Sequence, residues 1–470
     1  MKSFQLLVLI VILGFKSYSQ SHDKLQDAIG ENTFKQMMMD PGIYENEDVL
    51  NLVKKIGKNL ESYVEENSYE FKYYLLDTDV PNAFATGGGY VFVTRGLLAI
   101  IDTEDELAGI LAHEFNHVFH KHITKKVYRS VPPMILKVPG SIVGLVFPKI
   151  VKNIINAPFD LTFRTANAAF DRHQEEQADK SGMELILKSK YNPYGLISAL
   201  SKLEIYVENL TGHKEKFNLL TDHPITSKRL EYLRALIPDR GIDDHDQTEL
   251  HSELKDLLVG NNPKHGVLVD KNEFLHPKYE FKFNLPENWL VENSINSLNA
   301  MDSTQQSGLV LGFETETQNL DSALELFMRA KYSKEEPIKL DKKTIGDYSS
   351  RQIIIEGENK HQGSKMIITW IKIDSINMLK ILAFANSSKD LQIIKKSLAS
   401  FKEMTVEDRQ KINYYVLAID IGRNEAFREF LERKNLYDKQ KFLCALNSVK
   451  LSQSVIGKTL KYLEERNYYE

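Results

Sequence analysis

The chain has one cysteine in 470 residues, Cys444. A lone thiol excludes an internal disulfide, so stability must come from packed cores and from a metal if one is bound. Cys444 sits in "KFLCALN" among apolar neighbours and reads as a small buried hydrophobe, not a nucleophile. A charge excess is also missing. Sixty basic against 65 acidic residues give a formal net charge of −5, which leaves no basic footprint for nucleic acid. Nor is there an apolar run of bilayer length. "LLVLIVILGF" (Leu6–Phe15) falls short of the roughly 18 residues a span requires. With Lys2 before it and Ser17-Tyr18-Ser19 after it, this stretch reads as an export signal over residues 1–19. No cysteine stands directly after it, which argues against a lipid anchor. A second apolar stretch, Val131–Lys152, is broken by Pro132, Pro133, Pro139, Gly140, Gly144 and Pro148. It reads as a lid or a membrane-touching loop.

What is present is patterned. "EFKYYLLD" (Glu70–Asp77) and "GYVFVTRG" (Gly89–Gly96) have the aromatic and β-branched content of strands. Helical periodicity follows over Glu104–Ile123, Ala166–Lys188, Pro193–Leu210 and Ser227–Ala235. Ser21 to about Asp244 therefore reads as one mostly helical domain. "GNNPKHG" (Gly260–Gly266) reads as a linker. Beyond it, strand-like runs such as "KMIITWIKI" alternate with amphipathic helices, and "DSIN" (374–377) should turn a hairpin. The stretch from Thr405 to Glu470 reads as helical and charged.

The chemistry is concentrated in "LAGILAHEFNHVFHKH" (Leu107–His122). Thr103-x-x-Glu106 is a capping box where this helix should start. His113 and His117, four apart, point to one side, which is how HExxH offers two imidazoles to zinc. Glu114 would then serve as general base toward water at the metal. His120 lies a turn further on and His122 points away, so both read as bystanders. Catalytic zinc needs a third protein ligand, and "FDRHQEEQADKSG" (Phe170–Gly182) offers Glu175 and Asp179 on one helical face. One could bind the metal while the other holds a ligand histidine.

HExxH followed by ExxAD resembles metallopeptidase family 48, the HtpX-like and BepA-like gluzincins. "NAFATGGGYVFVTRGLL" (Asn82–Leu98), "YNPYGLISALSKL" (Tyr191–Leu203) and "DHPITSKRLEYL" (Asp222–Leu233) resemble further family elements in the same order. The resemblance implies one zinc ion bound by His113, His117 and Glu175, with Glu114 as base and Asp179 orienting a ligand histidine. His223 and Arg229 match the HPxxxxR element and would stabilise an oxyanion or gate the metal. Asn82, Gly87, Gly88 and Gly89 would meet an extended substrate. The family often has proline where Gly87 stands, and a small residue where Asn116 stands. "GVLVDKNEFLHPKYEFKFNLPENW" (Gly266–Trp289) resembles the start of an accessory domain in exported members. The tail keeps a faint likeness to a glycan-binding LysM-like module, but without its glycines or closing strand.

The expectation is an α+β chain. A signal peptide (1–19) precedes a mostly helical zincin (gluzincin) peptidase domain with a small sheet (20–255). A linker (256–275), a smaller α+β accessory domain (276–402) and a helical segment (403–470) follow. The implied function is a zinc endopeptidase, exported to the periplasm or the periplasmic face of the outer membrane. Its substrates would be unfolded or misassembled envelope proteins, and its contacts envelope assembly machinery or a membrane surface. The alternative is a chaperone-like or binding protein with a latent, self-blocked zinc site.

Overall fold

The computed structural model describes residues 26–64, 70–123, 125, 171–211, 223, 227–238, 249–270, 272–293, 297–331, 339–356 and 364–470. The expected export signal (1–19) and apolar segment (131–152) lie outside these residues. The chain divides into two units, one comprising Met1–Met38, Gly42–Val259 and Val416–Glu464, the other Met39–Pro41, Gly260–Tyr415 and Glu465–Glu470.

The first unit begins with α1 (26–39) and α2 (Glu47–Glu61). A three-stranded sheet follows, with β1 (Lys72–Leu76), β2 (Ala83–Thr86) and β3 (Tyr90–Thr94) in the order β1-β3-β2. β1 pairs parallel to β3, and β2 pairs antiparallel to it. Val91, Phe92 and Val93 are fully buried, as the aromatic and β-branched pattern requires. The short α3 (Arg95–Ile100) leads into α4 (Glu104–Phe119). Thr103 caps α4, its hydroxyl accepting from Glu106 N at 3.2 Å. The expected box is only half closed, because the Glu106 carboxylate reaches Asp102 N (2.6 Å) rather than Thr103 N. Three acidic residues in the first turn complement the positive helix end.

The helices α5 (Arg172–Lys188), α6 (Tyr194–Thr211) and α7 (Ser227–Leu236) complete the helical layer. α5 starts at a capping box between Asp171 and Gln174. α4 is the centre of this unit: Leu107, Ala108, Leu111, Ala112 and Phe115 are fully buried. All but its final residue are buried, so the helix shows no polar face at all.

β4 (Leu258–Val259) comes next. The expected linker at 256–275 is therefore not a loose connection. It supplies β4, β5 (Val267–Val269) and the start of β6 (Glu273–His276), with turns at Asp256 and Asp270 and a one-turn 3-10 helix at Pro263–His265. In the second unit β6, β5, β7 (Phe281–Asn284) and the two-residue β15 (Lys402–Glu403) form a four-stranded sheet. A seven-stranded sheet carries β8 (Leu290–Asn293), β9 (Ser297–Met301), β10 (Gly308–Phe313), β11 (Lys339–Ile345), β12 (Tyr348–Glu356), β13 (Lys365–Lys372) and β14 (Met378–Ala385). Period-two alternation separates its faces. Ile367 and Ile371 join the core around Phe281, Phe283 and Phe401, whereas Ile368 and Trp370 pack with Leu320 and Leu324 on the other side. The hairpin at Asp374 forms, with Asp374 Oδ1 accepting from Ile376 N and Asn377 N at 2.7 Å each.

The C-terminal stretch departs from its expected helical character. It runs β16 (Asn413–Ile421), α8 (Phe427–Arg433), α9 (Gln440–Leu446) and β17 (Thr459–Asn467), and its strands join β4 in a sheet of order β17-β16-β4. The closing strand that the sequence hid is "TLKYLEERN", whose alternating charges imitate a solvated helix. Its Lys461 is 1% exposed. The Lys461 ammonium donates to the carbonyls of Ala99 (2.8 Å), Ile100 (3.1 Å) and Ile101 (2.6 Å) and pairs with Asp102 at 2.5 Å. A lysine can be buried so deeply only with this many acceptors around it.

Candidate metal centre

α4 and α5 cross at Gly182, where a Cβ would stand 3.2 Å from the Cα and N of His113. The missing side chain lets the helices approach closely beside the first histidine. His113, His117, Glu175 and His223, all buried, place one donor atom each within 4.8 Å of one another. His117 Nε2 lies 3.0 Å from His113 Nε2 and 3.4 Å from Glu175 Oε1. His223 Nδ1 lies 2.9 Å from Glu175 Oε1 and 3.3 Å from His113 Nε2.

The donor chemistry fits a cation. His113 Nδ1 faces Asp179 Oδ1 at 2.9 Å, so this nitrogen carries the proton and Nε2 turns a lone pair inward. The His117 Nε2 and the Glu175 carboxylate converge on the same point. Two imidazoles, a carboxylate and a further imidazole are a donor set suited to zinc. The protonation balance agrees. Burial disfavours charge on Glu175, but His223, His113 and Arg229 outweigh it and lower its pKa to about 2. Burial likewise opposes charge on His223, yet Glu175 and Glu114 raise its pKa to about 9. Burial holds His117 well below its ordinary value.

Glu114 is buried beside this set. Burial raises its pKa, against the pull of His223 and His113, and the backbone of Ala85 in β2 hydrogen-bonds its carboxylate. His223 Nε2 stands 3.7 Å from Glu114 Oε1. Arg229 joins Asp179 at 2.8 and 2.9 Å, Glu175 at 3.2 Å and the His223 carbonyl at 3.3 Å.

The remaining sequence-derived candidates have mixed positions. Asn82 is buried, and its backbone is tied to Thr94 through N–H to Oγ1 (2.8 Å) and Oγ1 to the carbonyl (3.0 Å). Gly87 and Gly89 are buried, and the reason for their missing side chains differs from open space for a substrate. A Cβ on Gly87 would lie 2.2 Å from the Gln26 carbonyl oxygen of α1, and one on Gly89 2.7 Å from that of Glu70. Gly88, at φ 69°, is half-buried. Asn116 turns its amide back onto the Ala112 carbonyl at 2.8 Å. Glu176 pairs with Arg172 at the surface.

His122 is a correction. Helical geometry sends it away from His117, but α4 ends at Phe119 and Lys121 adopts φ 54°. This left-handed residue folds His122 back under the last turn, 0% exposed, with Nδ1 2.9 Å from His117 Nδ1. The sequence carries no local signal for this turn, since its helical periodicity runs on to Ile123. His120, half-buried, bonds Ser181 Oγ at 3.0 Å.

The model of "Peptidase family M48" matches residues 45–237, which contain all of these side chains. The "Protease HtpX homolog" of Pyrococcus abyssi (strain GE5 / Orsay) is 30% identical over 211 residues, covering 36% of this chain and 69% of that protein. The "Protease HtpX" of Legionella pneumophila (strain Lens) is 28% identical over 207 residues, covering 35% and 70%. The "Beta-barrel assembly-enhancing protease" of Escherichia coli (strain K12) is 26% identical over 182 residues, 38% of this chain. The match spans only 37% of the length of that relative. From the arrangement of its histidines and carboxylates and from these likenesses, the chain belongs to peptidase family M48.

Proposed function

We propose that the chain is a zinc-dependent endopeptidase that cleaves unfolded or misassembled cell-envelope proteins. The observation that carries this reading is the convergence of His113, His117 and Glu175 donor atoms beside the buried Glu114 carboxylate. When bound, zinc would supply Lewis acidity, polarising a scissile carbonyl and making water acidic enough to react near neutral pH. Glu114 takes the proton from the attacking water and returns it to the leaving amine. Its raised pKa suits a group that must both accept and release a proton. Asp179 holds His113 in the ligating tautomer, and Arg229 holds Asp179 and Glu175 together. Arg229 is thereby committed to carboxylates and acts by positioning, not by meeting an oxyanion.

The substrate class rests on β2, an outer strand of its sheet among the described residues, which adjoins Glu114 through Ala85. An extended backbone can add to such an edge, and folded proteins do not offer one. Location in the periplasm or at the periplasmic face of the outer membrane rests on the signal-like N-terminus and the printed name of the E. coli relative. Among the described residues no helix is long and apolar enough to cross a membrane.

One observation favours a latent state of this same enzyme. His223 Nδ1 stands among the ligand atoms and its Nε2 faces Glu114, so the ring fills the space a substrate carbonyl needs. Turnover then requires His223 to withdraw. The test is hydrolysis of unfolded casein by the purified chain and by Glu114→Gln. Cleavage by the parent alone supports the reading, and equal cleavage by both overturns it.

A further inference from the structure

We propose that His122 is a positioning residue for the metal centre. It would fix the tautomer and ring orientation of His117 through a hydrogen-bonded chain, His117–His122–Gln177, that ties the end of the HExxH helix to the helix bearing Glu175. The inference rests on the zinc reading above.

Three observations place His122 in this role. Its ring is 0% exposed. It meets His117 nitrogen to nitrogen, Nδ1 to Nδ1 at 2.9 Å, with the rings inclined at 72°. Its other nitrogen, Nε2, lies 3.0 Å from Gln177 Oε1, on α5 between Glu175 and Asp179.

The direction of the chain follows from donor counting. Gln177 Oε1 can only accept, so His122 Nε2 carries a proton. A neutral His122 then has a bare Nδ1, and only one proton can lie between it and the facing Nδ1 of His117. That proton belongs to His117. His117 Nε2 is left with its lone pair directed at Glu175 and His113, the form a metal requires. Reversing the Gln177 amide would reverse the whole chain. Gln177 Nε2 would donate, His122 Nδ1–H would donate to His117, and His117 Nε2 would hold a proton and be unable to ligate. One neutral amide thus selects the competent tautomer two residues away in the chain of bonds.

The two ligand histidines are consequently held in different ways. His113 leans on a carboxylate, Asp179, and His117 on a neutral imidazole. The backbone makes the second arrangement possible, since the positive φ of Lys121 turns His122 inward.

The experiment compares the full-length parent with His122→Phe, His122→Asn and Gln177→Leu. Zinc affinity is measured by competition with a chromophoric chelator, and the ligand field by the visible absorption of the Co2+-loaded protein. His122→Phe keeps the ring volume and removes both nitrogens. Its zinc affinity should fall about 10- to 100-fold, with altered Co2+ bands. His122→Asn can still accept from His117 and donate to Gln177, so it should recover much of the loss. Gln177→Leu should weaken binding with the fold intact, and it carries the test if His122→Phe fails to fold. Parent-like affinity and Co2+ spectra in both His122→Phe and Gln177→Leu overturn the proposal, as does His122→Asn binding no better than His122→Phe. A parent chain that takes up neither ion overturns the zinc reading and this proposal with it, whereas a metal-binding parent with indifferent variants overturns this proposal alone.

Discussion

Arg229 grips Asp179 with two nitrogens of its guanidinium, Nε 2.9 Å from Oδ2 and Nη2 2.8 Å from Oδ1. Nη2 also reaches Glu175 Oε2 at 3.2 Å. Only a planar fork can serve both carboxylates at once. Arg229→Met should lower zinc affinity about 10- to 100-fold, since Asp179 would be buried without its cation and free to turn away from His113. Arg229→Lys should fall between the two, because one ammonium cannot span both partners. Chelator competition on the three proteins checks this.

His223 shares the ligand cluster with Glu175 and faces Glu114. His223→Ala should speed the hydrolysis of unfolded casein severalfold, by removing the population of closed sites that cannot admit substrate. Initial rates at matched zinc loading measure the effect. A lowered rate would show that His223 helps the reaction more than it blocks the site.

Lys461 reaches three carbonyls at the end of α3 and Asp102, just before the cap of the HExxH helix. Asp102 also bonds Lys202 and His251, and its pKa is held far below the usual carboxylate range despite burial. Lys461→Met should destabilise the unit by about 3 kcal/mol, because the carbonyls lose their donor and Asp102 a partner. Thermal unfolding followed by circular dichroism gives the loss. Asp102→Asn combined with Lys461→Met should cost less than the sum of the two alone.

His276 is packed among Phe274, Tyr279, Phe281 and Phe313, and its Nδ1 has no hydrogen-bond partner among the described residues. Burial, aided by His265 and Lys278, pushes its pKa down to about 3. Between that value and about 6.5 the unfolded chain binds a proton that the folded one refuses. Stability of the second unit should therefore fall as pH drops through this window, by at most about 1.4 kcal/mol per pH unit. His276→Phe should remove that part of the slope. Urea unfolding of both proteins at pH 7.5 and pH 5 tests the sign.

The helical half of the first unit was readable because its signals are local. His113 and His117 share a face by spacing alone, and the Thr103 cap directly precedes the expected start at Glu104, whereas the Asp171 cap lies five residues beyond the expected start at Ala166. Glu175 and Asp179 were visible as a pair by spacing, but which one meets the cluster depends on how α4 and α5 pack, and only the family resemblance singled out Glu175. His122 was misread because one left-handed residue, Lys121, ends the periodicity on which the reading relied. The last strand was hidden because "KYLEER" pairs opposite charges four apart as a solvated helix does. Only the tertiary contacts of Lys461 reveal that its charge is internal. Gly87 and Gly89 were recognised as places for close approach, but the approaching backbone belongs to this chain.

The most direct test of the central claim is the metal content and metal position of the purified full-length protein, by elemental analysis and anomalous scattering at the zinc edge. About one zinc per chain is expected, centred among His113, His117 and Glu175, retained in Glu114→Gln and lost in His113→Ala. A zinc-free protein that also takes up none from solution, or an ion bound elsewhere with this cluster empty, would contradict it.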